Sequence, residues 1–299
     1  MKITIAKTAG FCFGVKRAYD LACVNSKDCE KLYILGKLVH NDDVCRDLYK
    51  RGIKEIKSLD DIKEGTVIFT AHGVGPCLYE KASEKGIKII DTTCPKVMKA
   101  QRLAKIYAEK KFQVLIFGDR DHKEVKSIRE WTRNKGKVIG SADELSAKGG
   151  FASGGKKIKL EKSGKYCLVS QTTQNMGEFK KIIAWLKKNI KNFMYFNTIC
   201  PSTNDRQKEV KELARRNDVV VVIGGRDSAN SRRLFEISKK LNRNSYFIEN
   251  AKQLKKSWIN GIKKIAISAG ASTPDWVIRE VVDKIRDDIS STLEIRSRI

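Results

Sequence analysis

The stretch "DTTCPKVMKAQ", Asp91 to Gln101, returns as "NTICPSTNDRQ", Asn197 to Gln207, at an offset of 106 residues (197 less 91). The same offset carries "VLIFGDRDH", Val114 to His122, onto "VVVIGGRDS", Val220 to Ser228. Cys94 thereby meets Cys200, Pro95 meets Pro201, and Gly118 meets Gly224. The opening segment "KTAGFCFGVKRAYDLA", Lys7 to Ala22, falls on the same ruler. Cys12 stands 24 residues before Gly36, as Cys94 stands before Gly118 and Cys200 before Gly224. Four residues past these glycines come His40, His122 and Ser228, and two further on come Asp42, Glu124 and Asn230.

Three units therefore share one layout: cysteine, helix, strand, glycine, polar side chain. "VKRAYDLACVN", "KVMKAQRLAKIYAEK" and "NDRQKEVKELARR" space their apolar residues as helices do. "KLYILG", "QVLIFG" and "DVVVVIG" are short apolar runs closed by glycine, the pattern of buried parallel strands. A second strand follows in each unit, "TVIFTAHG", "KYCLVSQTT" and "KKIAISAGAS", bringing His72, Thr172 and Ser272 to strand ends. "SLDDIKEG", "SADELSAKG" and "NAKQLKKSW" precede these strands as matching short helices. Alternating strands and helices predict an α/β fold of three pseudo-equivalent units with parallel sheets. The expected boundaries are 1–95, 96–196 with a Gly/Lys-rich insertion near 147–165, and 197–285, followed by a tail at 286–299. The tail "ISSTLEIRSRI" has strand-like residues but no place in the repeat.

The chain of 299 residues carries a net charge of +26, which favours an anionic partner: nucleic acid, a phosphorylated substrate or an acidic protein. Lysines recur along the whole chain, and no segment interleaves aromatics with arginine as single-strand binders do. No apolar run is long enough to span a bilayer. "MKITIAKTAGFCFGV" reads as strand and turn rather than signal peptide, so a soluble, cytoplasmic protein is expected. The eight cysteines include no CxxC pair. In a reducing compartment they are packing residues, metal ligands or nucleophiles before they are disulfides. "GFASGGKK" from Gly150 begins like a phosphate-binding loop, but it ends in Lys157 and no strand precedes it.

Ligands of open α/β sheets bind beyond the carboxyl ends of the strands. Three such ends facing one centre would bring Cys12, Cys94 and Cys200 together. The alternative is three duplicated units, each with a cysteine buried on its own. Proline after Cys94 and Cys200 places their sulfurs at helix N-termini, where the dipole favours thiolate. Phe11 and Phe13 would shield Cys12 from water. Three isolated thiolates suit an iron–sulfur cluster with one open iron better than four-ligand zinc. The only histidines, His40, His72 and His122, all fall at strand ends. With Ser228, Asn230 and Ser272 they supply donors for an anion. Glu124 is the carboxylate best placed as proton donor. Cys23, Cys29, Cys45, Cys77 and Cys167 have no repeat partners and read as packing or surface thiols.

At these residues the chain resembles the 4-hydroxy-3-methylbut-2-enyl diphosphate reductases of the non-mevalonate isoprenoid pathway. The motifs that carry the resemblance are "GFCFGVKRA", "LVHND", "FTAHGVG", "DTTCPKV", "DHKEV", "SQTT", "TICPSTNDRQ", "DSANSRRL" and "SAGASTPD", in that order. The resemblance implies a cloverleaf of three α/β units around an oxygen-sensitive 4Fe–4S cluster held by Cys12, Cys94 and Cys200, with one iron not ligated by protein. It implies reductive removal of the substrate hydroxyl as water, giving isopentenyl and dimethylallyl diphosphate. By the same likeness His40, His72, Ser228, Asn230 and Ser272 would hold the diphosphate. His122, Thr172 and Glu124 would serve the hydroxyl end. Ala229 replaces a serine of relatives, so one phosphate contact is missing or made by backbone. An RNA-binding extension that some relatives carry is not expected after Ile299. An acidic electron donor such as ferredoxin or flavodoxin would suit the +26 charge, and neither nucleic acid nor membrane is expected as a partner. Two rival readings are a nucleic-acid binder, and a zinc or cysteine-nucleophile hydrolase using one of the three cysteines with a histidine.

Overall fold

The computed structural model describes residues 1–146, 151–152, 155–156 and 158–296. Along the chain run β1 (Lys2–Ile5), α1 (Phe13–Asp28), β2 (Leu32–Leu35), α2 (Asp42–Lys50), β3 (Lys54–Ile56), β4 (Thr66–Phe69), α3 (Pro76–Glu84) and β5 (Lys88–Asp91). There follow α4 (Pro95–Glu109), β6 (Gln113–Phe117), α5 (Lys123–Glu130), β7 (Lys137–Ile139), and four two-residue strands: β8 (Leu145–Ser146), β9 (Phe151–Ala152), β10 (Gly155–Lys156) and β11 (Ile158–Lys159). The rest comprises β12 (Lys165–Ser170), α6 (Met176–Asn189), β13 (Asn192–Tyr195), α7 (Pro201–Arg216), β14 (Val219–Ile223), α8 (Ala229–Leu241), β15 (Ser245–Ile248), β16 (Lys264–Ala269) and α9 (Asp275–Arg296).

Three four-stranded sheets result, in the orders β3-β2-β4-β5, β7-β6-β12-β13 and β15-β14-β16-β1. All their pairings are parallel. The repeat read from the sequence is thus a repeat of sheets. Its ruler has a physical basis: Gly36, Gly118 and Gly224 each donate N–H to the last residue of the neighbouring edge strand, Ile56, Ile139 and Ile248. The helical segments before the second strands are 3₁₀ turns at Leu59–Asp61, Ala142–Glu144 and Ala251–Gln253, preceded by Ser58, Ser141 and Asn250, and the third segment carries a second such turn at Lys256–Trp258.

The N-terminal strand departs from the expected 1–95 unit. β1 pairs with β16 in register Lys2 to Lys264 through Ile5 to Ile267, completing the sheet built from the last third of the chain. The chain forms two compact units. One contains Met1–Lys16, Val39–Lys50 and Pro201–Ile299; the other contains Arg17–Leu38 and Arg51–Cys200. The first unit holds the sheet with β1, and the second holds the other two sheets.

Alternation on the strands explains the layers. In β14, Val219, Val221 and Ile223 join a core with Val277, Val281 and Ile285 of α9. Val220 and Val222 face Val210 of α7 and Leu234 of α8. In the second unit Leu115, Phe117 and Leu168 pack with Phe179, Ile182 and Leu186 of α6. Val114, Ile116 and Val169 pack with Ala100 and Ala104 of α4 and with Val125 and Ile128 of α5. Strands covered on both faces must be apolar on both, which is why they read as unbroken runs.

Parts of the expected insertion, 147–150, 153–154 and 157, lie outside the described residues. Leu160, inside the expected span, is fully buried in the α6-side core. The tail expected from 286 continues α9 as far as Arg296, and 297–299 lie outside the described residues. Among the described residues no helix is long and apolar enough to cross a membrane.

Candidate active site

Each of the three cysteines sits where a loop turns into a helix. Cys94 is the N-cap of α4, extended at φ −61° and ψ 131°, and Pro95 supplies the first helical residue. Its carbonyl accepts the first helical bond, from Met98 N–H at 2.9 Å. Cys12 does the same for α1, its carbonyl accepting from Lys16 N–H at 2.8 Å. Cys200 directly precedes Pro201, the first residue of α7.

One backbone bond recurs at all three. Cys12 N–H donates to Ala271 O at 3.1 Å, Cys94 N–H to Ala71 O at 3.1 Å, and Cys200 N–H to Thr172 O at 2.9 Å. The acceptors lie just past β16, β4 and β12, the second strand of each sheet. The turns that follow also match: Gly73, Gln174 and Thr273 donate N–H to Thr70, Gln171 and Gly270. Thr172 is therefore the counterpart of Ala71 and Ala271. The counterparts of His72 are Thr173 and Ser272, which corrects by one residue the alignment of His72 with Thr172.

A second correction concerns the helix starts after the glycines. His122 caps α5, its Nδ1 accepting Glu124 N–H at 3.2 Å, and Ser228 caps α8, its hydroxyl accepting Ser231 N–H at 3.3 Å. In the first sheet the cap is Asn41, one residue beyond His40. Asn41 Oδ1 accepts N–H from Asp43 at 3.0 Å and from Val44 at 3.2 Å. Glu124 and Asn230 are second residues of their helices, and by the same count their counterpart is Asp43, not Asp42.

In the second unit, His72, His122, Glu124 and Thr172 form one connected group. The two imidazoles meet edge to face with centroids 5.6 Å apart. Ser127 Oγ lies 3.2 Å from His72 O and 2.8 Å from Glu124 O, and it accepts from Gln101 Nε2 at 3.0 Å. Glu124 is only 2 % exposed. Thr172 donates its N–H to Glu124 Oε1 at 2.7 Å and its hydroxyl to Oε2 at 2.9 Å. Burial pushes the Glu124 carboxyl up to about 7, partly opposed by the two bonds from Thr172 and helped by the charge of Asp119. A carboxyl poised near neutrality can give and regain a proton. Thr172 thus joins Glu124, through its side chain and N–H, to Cys200, through its carbonyl.

In the first unit, Ser272 follows Ala271, the acceptor of the Cys12 bond, and its Oγ lies 3.5 Å from His40 O. Gly225 passes so near that a Cβ there would lie 2.3 Å from His40 O, so only glycine fits. Ser228, Asn230 and Ser272 are all buried. Asn230 Nδ2 is buried with no hydrogen-bond partner among the described residues. The structure thus groups Cys94, Cys200, His72, His122, Glu124 and Thr172 in one unit, and Cys12, His40, Ser228, Asn230 and Ser272 in the other.

Phe13 does not shield Cys12: it is 74 % exposed, whereas Phe11 packs edge-on against Trp276 at 6.3 Å. Cys167 is a packing thiol, pushed up to about 12 by burial. Cys77 is exposed. Sequence reasoning missed Ser127, Gln101 and Asn41. The repeated glutamine at 101 and 207 was the available signal for one of them.

Residues 3–286 match the LytB protein family. The chain belongs to that family. Among LytB relatives, the 4-hydroxy-3-methylbut-2-enyl diphosphate reductase of Geotalea uraniireducens (strain Rf4) is 39% identical over 285 residues, covering 95% of this chain and 97% of the relative. That of Thermoanaerobacter sp. (strain X514) is 39% identical over 291 residues, covering 96% and 97%. A solved (E)-4-hydroxy-3-methyl-but-2-enyl diphosphate reductase, described as the terminal enzyme of the non-mevalonate pathway, matches at 38% identity over 96% of this chain and all of its own, with a TM-score of 0.69. The Plasmodium falciparum E-1-hydroxy-2-methyl-but-2-enyl-4-diphosphate reductase matches at 26% identity over 94% of this chain and 87% of its own, with a TM-score of 0.85.

The buried Glu124 carboxyl gives a pH signature. Its folded-state pKa of about 7 exceeds the ordinary 4.5, so the protonated form favours the folded state. That contribution is full below the unfolded value and is lost as pH rises through about 7. Thermal unfolding of wild type and Glu124→Gln should therefore diverge between about pH 5 and 8, with wild type losing ground as pH rises. An unchanged difference across that range would show that the carboxyl is not held this way.

Proposed function

We propose that this chain is a 4-hydroxy-3-methylbut-2-enyl diphosphate reductase, converting that substrate by reductive dehydroxylation into isopentenyl and dimethylallyl diphosphate. The observation that carries the reading is the cysteine bond repeated at three sheets, in a chain that matches named reductases over nearly its whole length. The donor set fits an iron–sulfur group. Three soft sulfur donors stand at helix starts with their backbones fixed, and local zinc-type pairs are absent from the sequence. Cys12, Cys94 and Cys200 would hold a 4Fe–4S cluster with one iron not ligated by protein. When bound, that group would supply electrons and a Lewis-acidic position for the departing hydroxyl.

The chain's own residues do the rest. His40, His72, Ser228, Asn230 and Ser272 present donors to the diphosphate, and Asn230 Nδ2 has its bond still to make. Thr172 fixes both oxygens of Glu124, so that the carboxyl faces the reaction in one orientation. Glu124 delivers a proton to the leaving oxygen, and His122 lies beside that hydroxyl end. Hydroxide leaves poorly, so protonation at this atom must accompany arrival of the electrons. Overall, two electrons and two protons are consumed and one water is released. The electrons come from an acidic carrier protein such as ferredoxin or flavodoxin, drawn by the +26 charge of the chain. The protein works in the cytoplasm.

Protein purified without oxygen should be brown and contain iron and sulfide, and Cys12→Ser, Cys94→Ser and Cys200→Ser should each lose both colour and turnover. A colourless, iron-free and fully active preparation would end the reading. Glu124→Gln should keep colour and substrate binding while losing at least about 100-fold in turnover, as removal of a general acid does. Near-normal turnover would remove Glu124 from this role. Electron transfer from an acidic carrier should slow as salt is raised from low ionic strength. A rate indifferent to salt would exclude the steering.

A further inference from the structure

Cys12 lies at the end of the loop joining β1 to α1. The loop leaves the sheet at Ala6, whose N–H still bonds Ile267 O at 2.8 Å. Beyond that point two side chains of α7 close on it. Glu209 accepts Lys7 N–H on Oε1 at 2.7 Å, and on Oε2 it accepts both Thr8 N–H at 2.9 Å and Thr8 Oγ at 2.5 Å. Burial works against its charge, but the bonds from Thr8 and Lys7 outweigh it and hold the carboxyl below its usual range. Arg206, one turn earlier on the same helix face, is only 5 % exposed. It donates Nη2 to Gly10 O at 2.8 Å, and Nη1 to Ser202 O at 3.2 Å. Gly10 turns the chain at φ +99°, where a Cβ would lie 2.6 Å from Asp275 Oδ1.

Lys7, Thr8, Gly10 and Cys12 are thus each held through the backbone, and three of the four are held by α7. This is more than a loop needs merely to pack. The contacts are directed at main-chain groups, so they set the path of the chain and through it the direction of the Cys12 side chain. A similar device stands ahead of a second cysteine. Arg17, on the helix that follows Cys12, has Nη1 3.4 Å from Thr93 O, the carbonyl before Cys94. Each of these two helices begins after one cysteine and sends an arginine to the carbonyl ahead of another.

We propose that Arg206 and Glu209 are positioning residues for Cys12, clasping the Lys7–Cys12 loop so that its thiol is presented in a fixed direction to the metal group. The clasp itself is a property of the chain; its link to metal rests on the reductase reading above. Their bonds to the loop are made at its main chain and at Thr8 Oγ. They act through the backbone that carries the thiol.

The test uses full-length Glu209→Ala, Glu209→Gln, Arg206→Ala and Arg206→Lys, the Gln and Lys forms preserving most of the side-chain volume. After the metal is stripped with a chelator, alkylation by iodoacetamide is followed at each cysteine by mass spectrometry. Hydrogen exchange is followed over residues 6–13. In the two alanine forms Cys12 should react about tenfold faster or more, and the amides of Lys7, Thr8 and Cys12 should exchange faster, as when bonds that close a local opening are lost. Cys94 and Cys200 should keep their wild-type rates, β14 and β16 their protection, and Arg206→Lys should fall between wild type and Arg206→Ala. Wild-type reactivity at Cys12 in every variant would overturn the proposal, as would equal acceleration at all three cysteines. In the metal-loaded variants, iron should be lost to the chelator faster than from wild type; unchanged loss would sever the clasp from metal binding. A wild-type protein that never takes up iron would instead fail the cluster reading, while alkylation and exchange still decide the clasp.

Discussion

One backbone bond organises the molecule: the N–H of a cysteine donated to the carbonyl just past a central strand. It occurs at Cys12 with Ala271, at Cys94 with Ala71 and at Cys200 with Thr172. A parallel strand ends with its carbonyls pointing outward, and a helix begins with unpaired N–H groups. Joining the two at a cysteine fixes the residue without using its side chain. The bond uses main-chain atoms alone. The loops beyond the strands can then carry different polar residues, His72 in one sheet and Ser272 in another, without moving the thiols.

The middle sheet shows how chemistry is added to this frame. Thr172 gives its carbonyl to Cys200 and its N–H and hydroxyl to Glu124. At the equivalent places Ala71 and Ala271 have no such hydroxyl. A buried carboxyl is costly when charged, and two donors from one residue offset part of that cost. The result is a group near the point of balance between its two protonation states. A solvated glutamate would be fully ionised at neutral pH.

Much of this was legible in the order of residues. The spacing from Cys12 to Gly36, repeated at Cys94 and Cys200, marks where strands end, because glycine there bonds the edge strand. Long apolar runs such as "DVVVVIG" betrayed strands covered on both faces. The outer strands were harder to see. Lys54–Ile56 is three residues with two exposed, too short and too polar to stand out. The pairing of β1 with β16 was invisible, since nothing local in "KITI" specifies a partner more than two hundred residues away. Asp42 is off by one residue because the turn before α2 carries Asn41 as an extra residue, which equal spacing from Gly36 passes over. His72 and Thr172 differ by one place because both were read simply as the polar residue that ends a strand, and only the cysteine bonds fix the register there. Arg206 and Glu209 gave no signal, because a charged pair on a helix ordinarily reads as a solvated face.

The seat of β1 beside β16 also orders events in time. This segment is made well before the strand it must join, which is completed only when residue 269 has been made. The second unit can assemble once Cys200 has been made, whereas the first must wait for the segments beyond Pro201. Until then β1 has no strand partner on either edge and Cys12 lies on an untethered arm, since α7 and Ala271 both follow much later in the chain. The pairing of β1 with β16 is therefore also the moment at which Cys12 takes its seat.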